Sequence, residues 1–287
     1  MVLPRCARRV ELTLPDGPLA ALEAGPRRPA EAAALLVPGF TGSKEDFLPL
    51  LEPLADAGFR VLAIDQRGQC DSPGLADPAG YDPPRFGTGA FGSDIRALVR
   101  SLAAEGSGPV HLLGHSFGGH AVREALLGAG PDAPLPLASL TLLDSGPAAV
   151  VARESRDRLE LLLAVGPTLT LRQIHELSPV DVHDDPQVRE FLLHRWLANE
   201  PGSLFAIARR LLAEPDRTDQ LTALLDAWSL PCLVVSGVDE DVWSAELLRE
   251  MAERLHAQFA VIPDAGHSPN TRQPGLTAKA LLEFWLG

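Results

Sequence analysis

Hydrophobic and polar positions alternate along Arg8–Leu14. A period of two predicts a half-exposed strand, suited to the antiparallel edge of a sheet. Short, mostly apolar runs follow at Ala32–Val37, Phe59–Ile64, Val110–Leu113 and Leu137–Leu143. Each is too short for a core helix and ends in turn residues, so each reads as a strand buried on both faces. Helical periodicity fills the gaps. One helix begins at Ser43, with Asp46 as its capping-box partner; others cover Phe91–Ala104 and Ser116–Leu127. This alternation predicts an α/β fold, a mostly parallel, doubly wound sheet with helices on both faces.

The pattern changes after Gly146. Residues 148–228 are Leu- and Arg-rich and helical throughout, with Asp185-Pro186 as an N-cap followed by proline at the first helical position. Pro231–Ser236 restores the strand pattern, followed by a helix at Ala245–Leu255, a strand at Phe259–Ile262 and a helix at Leu276–Leu286. The expected organisation is a core of residues 1–147 and 229–287, interrupted by a helical cap insertion at 148–228. Ala24–Pro29, Ser72–Gly89 and Gly128–Pro136 read as loops.

Composition narrows the function classes. The 287 residues carry 25 Lys plus Arg against 38 Asp plus Glu, a net charge of −13, which excludes a basic nucleic-acid binder. No apolar run approaches the roughly 18–20 residues of a membrane span. Met1–Arg9 is not followed by an apolar signal segment. The three cysteines, Cys6, Cys70 and Cys232, are far apart and odd in number, which favours free thiols in a cytoplasmic protein over disulfides or a metal site.

The strongest chemical signal is Gly114-His115-Ser116-Phe117-Gly118-Gly119, between a predicted strand and a predicted helix. A nucleophile on so sharp a turn needs neighbours without side chains two positions before and after it. Ser116 would then project at the positive end of a helix, with the Phe117 N–H aimed at a developing oxyanion. A second backbone donor is expected from Val37-Pro38-Gly39-Phe40, at the Phe40 N–H. Serine needs a base. His267, in Ala265-Gly266-His267-Ser268 after the last strand, is the best placed of the eight histidines. His115 adjoins Ser116, but side chains of adjacent residues on a turn point apart. His175, His183 and His194 fall in the insertion, and Asp181–Asp185 reads as a solvated loop and N-cap, so no metal site is expected. The base needs an orienting carboxylate. Asp239, Glu240 and Asp241 cluster after strand Pro231–Ser236, and Asp144 ends the strand before it.

Together these residues resemble the α/β-hydrolase fold family. The order Ser116, acid, His267 matches that family's chain order. Val37-Pro38-Gly39-Phe40 resembles its oxyanion loop, with Pro38 where histidine is frequent. Asp65-Gln66-Arg67-Gly68-Gln69-Cys70-Asp71-Ser72 resembles its Asp-x-Arg-Gly-x-Gly-x-Ser segment, with Cys70 in place of a glycine. Gly266-His267-Ser268-Pro269 resembles its histidine loop, and the helical insertion its variable cap. By the family's spacing the acid falls three residues after Gly237, at Glu240. Asp241 is nonetheless the favoured acid because its shorter side chain is the usual partner of the histidine, with Glu240 as the alternative. Asp65 and Arg67 are expected to be structural.

The resemblance implies a serine hydrolase of small or medium acyl esters that acts through an acyl-enzyme, without metal or organic cofactor. Phe191, Trp196, Phe205 and Trp228 would supply apolar walls. Family members that use an aspartate nucleophile are set aside by Ser116. Those that use cap tyrosines are set aside because the only tyrosine, Tyr81, precedes the insertion. A proline-releasing aminopeptidase, a lactonase and a carbon–carbon bond hydrolase are the alternative enzymes. A low-turnover ligand receptor is the alternative from another class. Oligomeric state has no signature in the sequence.

Overall fold

In the computed structural model the strands are β1 (Ala7–Leu14), β2 (Gly17–Ala24), β3 (Ala32–Val37), β4 (Phe59–Ile64), β5 (Val110–His115), β6 (Leu137–Leu143), β7 (Cys232–Gly237) and β8 (Gln258–Ile262). The structure describes residues 2–26, 30, 32–72, 86–87, 89–106, 108–177 and 183–287; most of the expected Ser72–Gly89 loop, Tyr81, Asp181 and Val182 lie outside them. The strands form one sheet in the order β1-β2-β4-β3-β5-β6-β7-β8. The β1/β2 and β2/β4 pairs are antiparallel, and every pair from β4 to β8 is parallel.

Alternate residues of the central strands feed two separate cores. In β3, Ala33, Leu35 and Val37 join one apolar cluster, while Ala34 and Leu36 join the other. The first cluster is covered by α2 (Ala90–Ala104) and α3 (Phe117–Ala129); the second is covered by α1 (Leu48–Asp56). This is why these strands read as mostly apolar runs without a polar face. β1 is the antiparallel edge strand expected from its alternation. β2 was not foreseen. Its Pro18 and its Leu-Ala-Ala-Leu-Glu-Ala run are poor strand formers, and only pairing to β1 and β4 makes it one. The helix expected from Ser43 begins as a 3₁₀ turn, Lys44–Phe47, before α1. Asp46 Oδ2 accepts the Ser43 N–H at 3.1 Å.

Between β6 and β7 the described residues are helical. They form α4 (Arg153–Val165), α5 (Leu171–Leu177), α6 (Pro186–Ala198), α7 (Pro201–Ala213) and α8 (Thr218–Trp228). Asp185 caps α6 by accepting the Gln187 N–H at 2.8 Å. α4 packs on α7 and α5 on α6, whereas α8 packs on α3 and on α9 (Ala245–Arg254). The chain ends with the short α10 (Pro269–Arg272) and α11 (Pro274–Leu286), which packs on the α1 face. No helix among the described residues is long and apolar enough to cross a membrane.

Candidate active site

The chain leaves β3 toward β4 on one side and later passes to β5 on the other, so the loops at the carboxyl ends of these strands border a topological switch point. Phe40 follows β3, Ser116 follows β5, Asp144 follows β6, Glu240 follows β7 and His267 follows β8. Ser116 holds φ 52° and ψ −121°, a strained conformation for a residue with a side chain. The turn closes tightly around it. A Cβ on Gly114 would stand 2.5 Å from the Gly118 carbonyl oxygen, and one on Gly118 would stand 2.6 Å from the Pro38 carbonyl oxygen. The Ser116 N–H donates to the Leu143 carbonyl at 2.9 Å, fixing the turn to β6.

His267 Nε2 stands 2.9 Å from Ser116 Oγ. On the other side of the ring, Nδ1 lies 2.9 Å from both Glu240 Oε1 and Glu240 Oε2. The acid brought to the histidine is therefore Glu240, which corrects the preference for Asp241. The turn after Gly237 is the physical reason. It folds Glu240 inward, where Oε1 also accepts the Val242 N–H at 2.9 Å and the Trp243 N–H at 3.0 Å. Asp239 and Asp241, on either side, are exposed. Burial pushes the Glu240 carboxyl up, but the His267 hydrogen bond and charge and the two backbone donors outweigh it and hold the carboxyl below its usual range.

His115 is not idle beside the serine. Its Nε2 donates to the His267 carbonyl at 2.7 Å, so the turn that carries Ser116 also holds the loop that carries His267. Burial first, and the charge of His267 second, push His115 down to about 4, so it is neutral at pH 7. Trp243 packs behind the histidine and donates from Nε1 to the Ala148 carbonyl at 3.1 Å, joining the acid loop to the start of the helical segment.

The Pro38–Phe40 loop comes close to the serine: a Cβ on Gly39 would lie 2.9 Å from Ser116 Cβ. Two glutamines set the orientation of this loop. Gln66 Nε2 donates to the Pro38 carbonyl and Gln69 Nε2 to the Gly39 carbonyl, each at 2.9 Å. In a trans peptide the N–H opposes the C=O, so tying the Gly39 carbonyl to Gln69 turns the Phe40 N–H away from it. The Phe117 N–H belongs to the first turn of α3, where backbone donors have no helical acceptor.

Asp65 and Arg67, expected to be structural, are both held in ion pairs between loops and helices. Asp65 accepts from Lys44 Nζ and from the Lys44 N–H, both at 2.7 Å, and Arg67 pairs with Asp94 at 2.6 Å. Cys70 adopts φ 43° where the family pattern has glycine. Gln66, Gln69 and Lys44 were missed because their roles lie in hydrogen bonds between distant loops. Glu45, Asp65 and Cys70 are close enough together to suggest a cation site, but the Lys44 ammonium already sits among them. Glu240, Asp241 and His267 are also close, but the ring is committed to Ser116 and Glu240. Of the four aromatic side chains expected as pocket walls, Trp196 is buried and donates to the Leu171 carbonyl, and Trp228 donates to the Pro131 carbonyl. Phe205 packs at Gly166, and Phe191 lies beneath the Arg195 guanidinium at 5.8 Å.

Comparison with known proteins agrees with this architecture. The sequence matches the alpha/beta hydrolase family over residues 34–280. It is 31% identical to a Variovorax paradoxus protein named, provisionally, as the carbamate hydrolase RutD, over 88% of this chain and 91% of that one. It is 27% identical to the 2-(acetamidomethylene)succinate hydrolase of Mesorhizobium japonicum, over 86% of this chain and 85% of that one. Among solved structures it is similar to a thermophilic esterase from Thermogutta terrifontis, with a TM-score of 0.71 and 27% identity, covering 96% of this chain and 97% of the other.

Proposed function

The chain belongs to the alpha/beta hydrolase family, and on that premise we propose that it hydrolyses small or medium acyl esters through a Ser116–His267–Glu240 triad. The observation that carries this reading is the continuous line of contacts, 2.9 Å from Ser116 Oγ to His267 Nε2 and 2.9 Å from His267 Nδ1 to the Glu240 carboxylate. His267 takes the hydroxyl proton as Ser116 attacks the carbonyl carbon, and Glu240 stabilises the imidazolium that forms. The Phe40 and Phe117 N–H groups hold the oxyanion, each contributing on the order of 3 kcal/mol to the transition state. The tetrahedral intermediate collapses as His267 gives its proton to the leaving oxygen. Water, activated by the same histidine, then releases the acyl group from Ser116. Each proton is returned, so these residues complete the cycle without a metal or organic cofactor.

Residues 148–228 act as a cap over the strand tips, on a core of 1–147 and 229–287. Three free thiols favour a cytoplasmic setting. A second reading, cleavage of a carbamate or amide by the same residues, is favoured by similarity to the Variovorax and Mesorhizobium proteins. It differs only in that His267 protonates a leaving nitrogen. A binding-only role is disfavoured because nucleophile, base and acid are all present and in contact. The test is hydrolysis of short p-nitrophenyl esters beside the matching carbamates and anilides. Ser116→Ala should lower turnover of whichever class is cleaved by roughly 10³-fold or more. Undiminished activity in that variant overturns the nucleophile.

A further inference from the structure

A second carboxyl group stands directly behind the triad. Asp144, the residue after β6, has no exposed surface. Its Oδ1 accepts the Gly237 N–H at 2.9 Å. Among the described residues no N–H or hydroxyl group donates to its Oδ2. The side chain it meets is that of Glu240, the carboxylate already committed to His267. Two carboxylates buried in contact cannot both be ionised. Glu240 accepts from the His267 ring and from two backbone donors, all of which favour its charged form. Asp144 has one backbone donor. The other titratable groups that bear on the pair are Asp241, exposed on the same loop, and His115, neutral on β5. Burial and the Glu240 charge together raise the Asp144 carboxyl well above its usual range.

We propose that Asp144 is a positioning residue held as a neutral carboxylic acid, whose Oδ2–H donates to the Glu240 carboxylate and continues the line Ser116–His267–Glu240 by one member. Oε1 of Glu240 already takes the Val242 and Trp243 N–H groups, so the acceptor is Oε2, which otherwise meets only the His267 ring among the hydrogen bonds described. The bond does two things. It gives the otherwise orphaned Asp144 Oδ2 a partner, and it draws charge from Glu240, moderating how strongly that carboxylate favours the imidazolium. The catalytic role rests on the triad reading; the protonation state does not.

Two measurements test it. The first is an infrared difference spectrum at neutral pH between the wild type and Asp144→Asn. It should show the carbonyl stretch of a buried carboxylic acid, lost in the variant; its absence overturns the proposal. The second is the acid limb of the kcat/KM profile. Asparagine keeps a neutral donor and tolerates the φ of 41° at this position. Asp144→Asn should therefore leave the midpoint within about 0.3 pH unit of wild type, whereas loss of a true carboxylate charge would lower it by about one unit or more. Asp144→Ala removes the donor and leaves Glu240 more basic, so its midpoint should rise by roughly 0.5–1 unit. An alanine variant that loses activity with the midpoint unmoved overturns the proposal in favour of packing alone. If the alanine variant does not fold, the asparagine profile and the infrared band decide. An active Ser116→Ala would remove the triad and leave the infrared result standing.

Discussion

Glutamate is one methylene longer than aspartate, so it must fold back to meet a histidine at the same strand tip. The loop after β7 provides that fold: Oε1 of Glu240 takes the N–H groups of Val242 and Trp243, two and three residues ahead, before it meets Nδ1 of His267. The side chain is fully buried, while Asp241 beside it is exposed. Glu240→Gln should therefore lower kcat by about 10³–10⁴-fold, since an amide can present the wrong group to Nδ1 and cannot offset an imidazolium charge. Asp241→Asn should stay within about threefold of wild type, because an exposed charge contributes little through solvent. Steady-state kinetics of the two purified variants decides, and a large loss in Asp241→Asn with none in Glu240→Gln would reverse the assignment. Ser116 and His267 were legible in the sequence because glycines crowd them and strands precede them. The acid was not, because three acids stand in a row and only the direction of a turn separates them. Spacing from Gly237 pointed to the carboxylate that contacts His267; side-chain length argued against it.

β5 shows how a strand next to Ser116 carries titratable groups of its own. It was readable as an apolar run, yet it contains His111 and ends in His115, both buried. His111 Nδ1 meets Ser139 Oγ at 2.9 Å on the neighbouring strand, and its ring packs edge-on against Phe59. Burial pushes it from 6.5 to about 4. Its pKa is lower in the folded than in the unfolded chain, so the unfolded chain binds the proton first as pH falls. Its contribution to stability is intact above about 6.5 and is lost progressively toward 4. His111→Gln keeps a polar partner for Ser139 and removes the titration. Relative to wild type, the variant should gain on the order of 3 kcal/mol between pH 7.5 and pH 4, read from urea midpoints at each pH. A constant difference across that range would mean that His111 is not held neutral by the fold. Other elements had different legibility. The central strands were readable because both faces are buried. β2 was not, since its residues have weak strand preference and owe their conformation to β1 and β4.

Across the whole molecule, the helices between β6 and β7 are tied to the loops that build the site. Arg195 of α6 pairs with Asp46 at 2.5 Å, just after the Phe40 loop. The Glu200 N–H donates to the Gly68 carbonyl at 2.8 Å, and Ser203 Oγ donates to the Arg67 carbonyl at 3.0 Å, both in the segment whose glutamines orient that loop. Asp46 reaches a third loop through its own carbonyl, which accepts from Asn270 Nδ2 at 2.8 Å, three residues past His267. A net charge of −13 says nothing of this arrangement, because what matters is where single charges sit. Both side chains of the Arg195–Asp46 pair are mostly withdrawn from water, at 7% and 19% exposure. Arg195→Leu should then cost about 1–3 kcal/mol, less than a fully buried pair because Asp46 stays partly hydrated. The effect should be local. Amides of α6 and α7 should exchange faster in deuterium oxide, with those of β5 and β6 unchanged. Because much of the cost is the carboxylate left without its cation, adding Asp46→Asn to Arg195→Leu should recover part of it. Uniformly faster exchange across sheet and helices would instead mean that the pair supports the entire fold, and unchanged exchange in α6 and α7 would mean that the remaining contacts hold the helices in place without it.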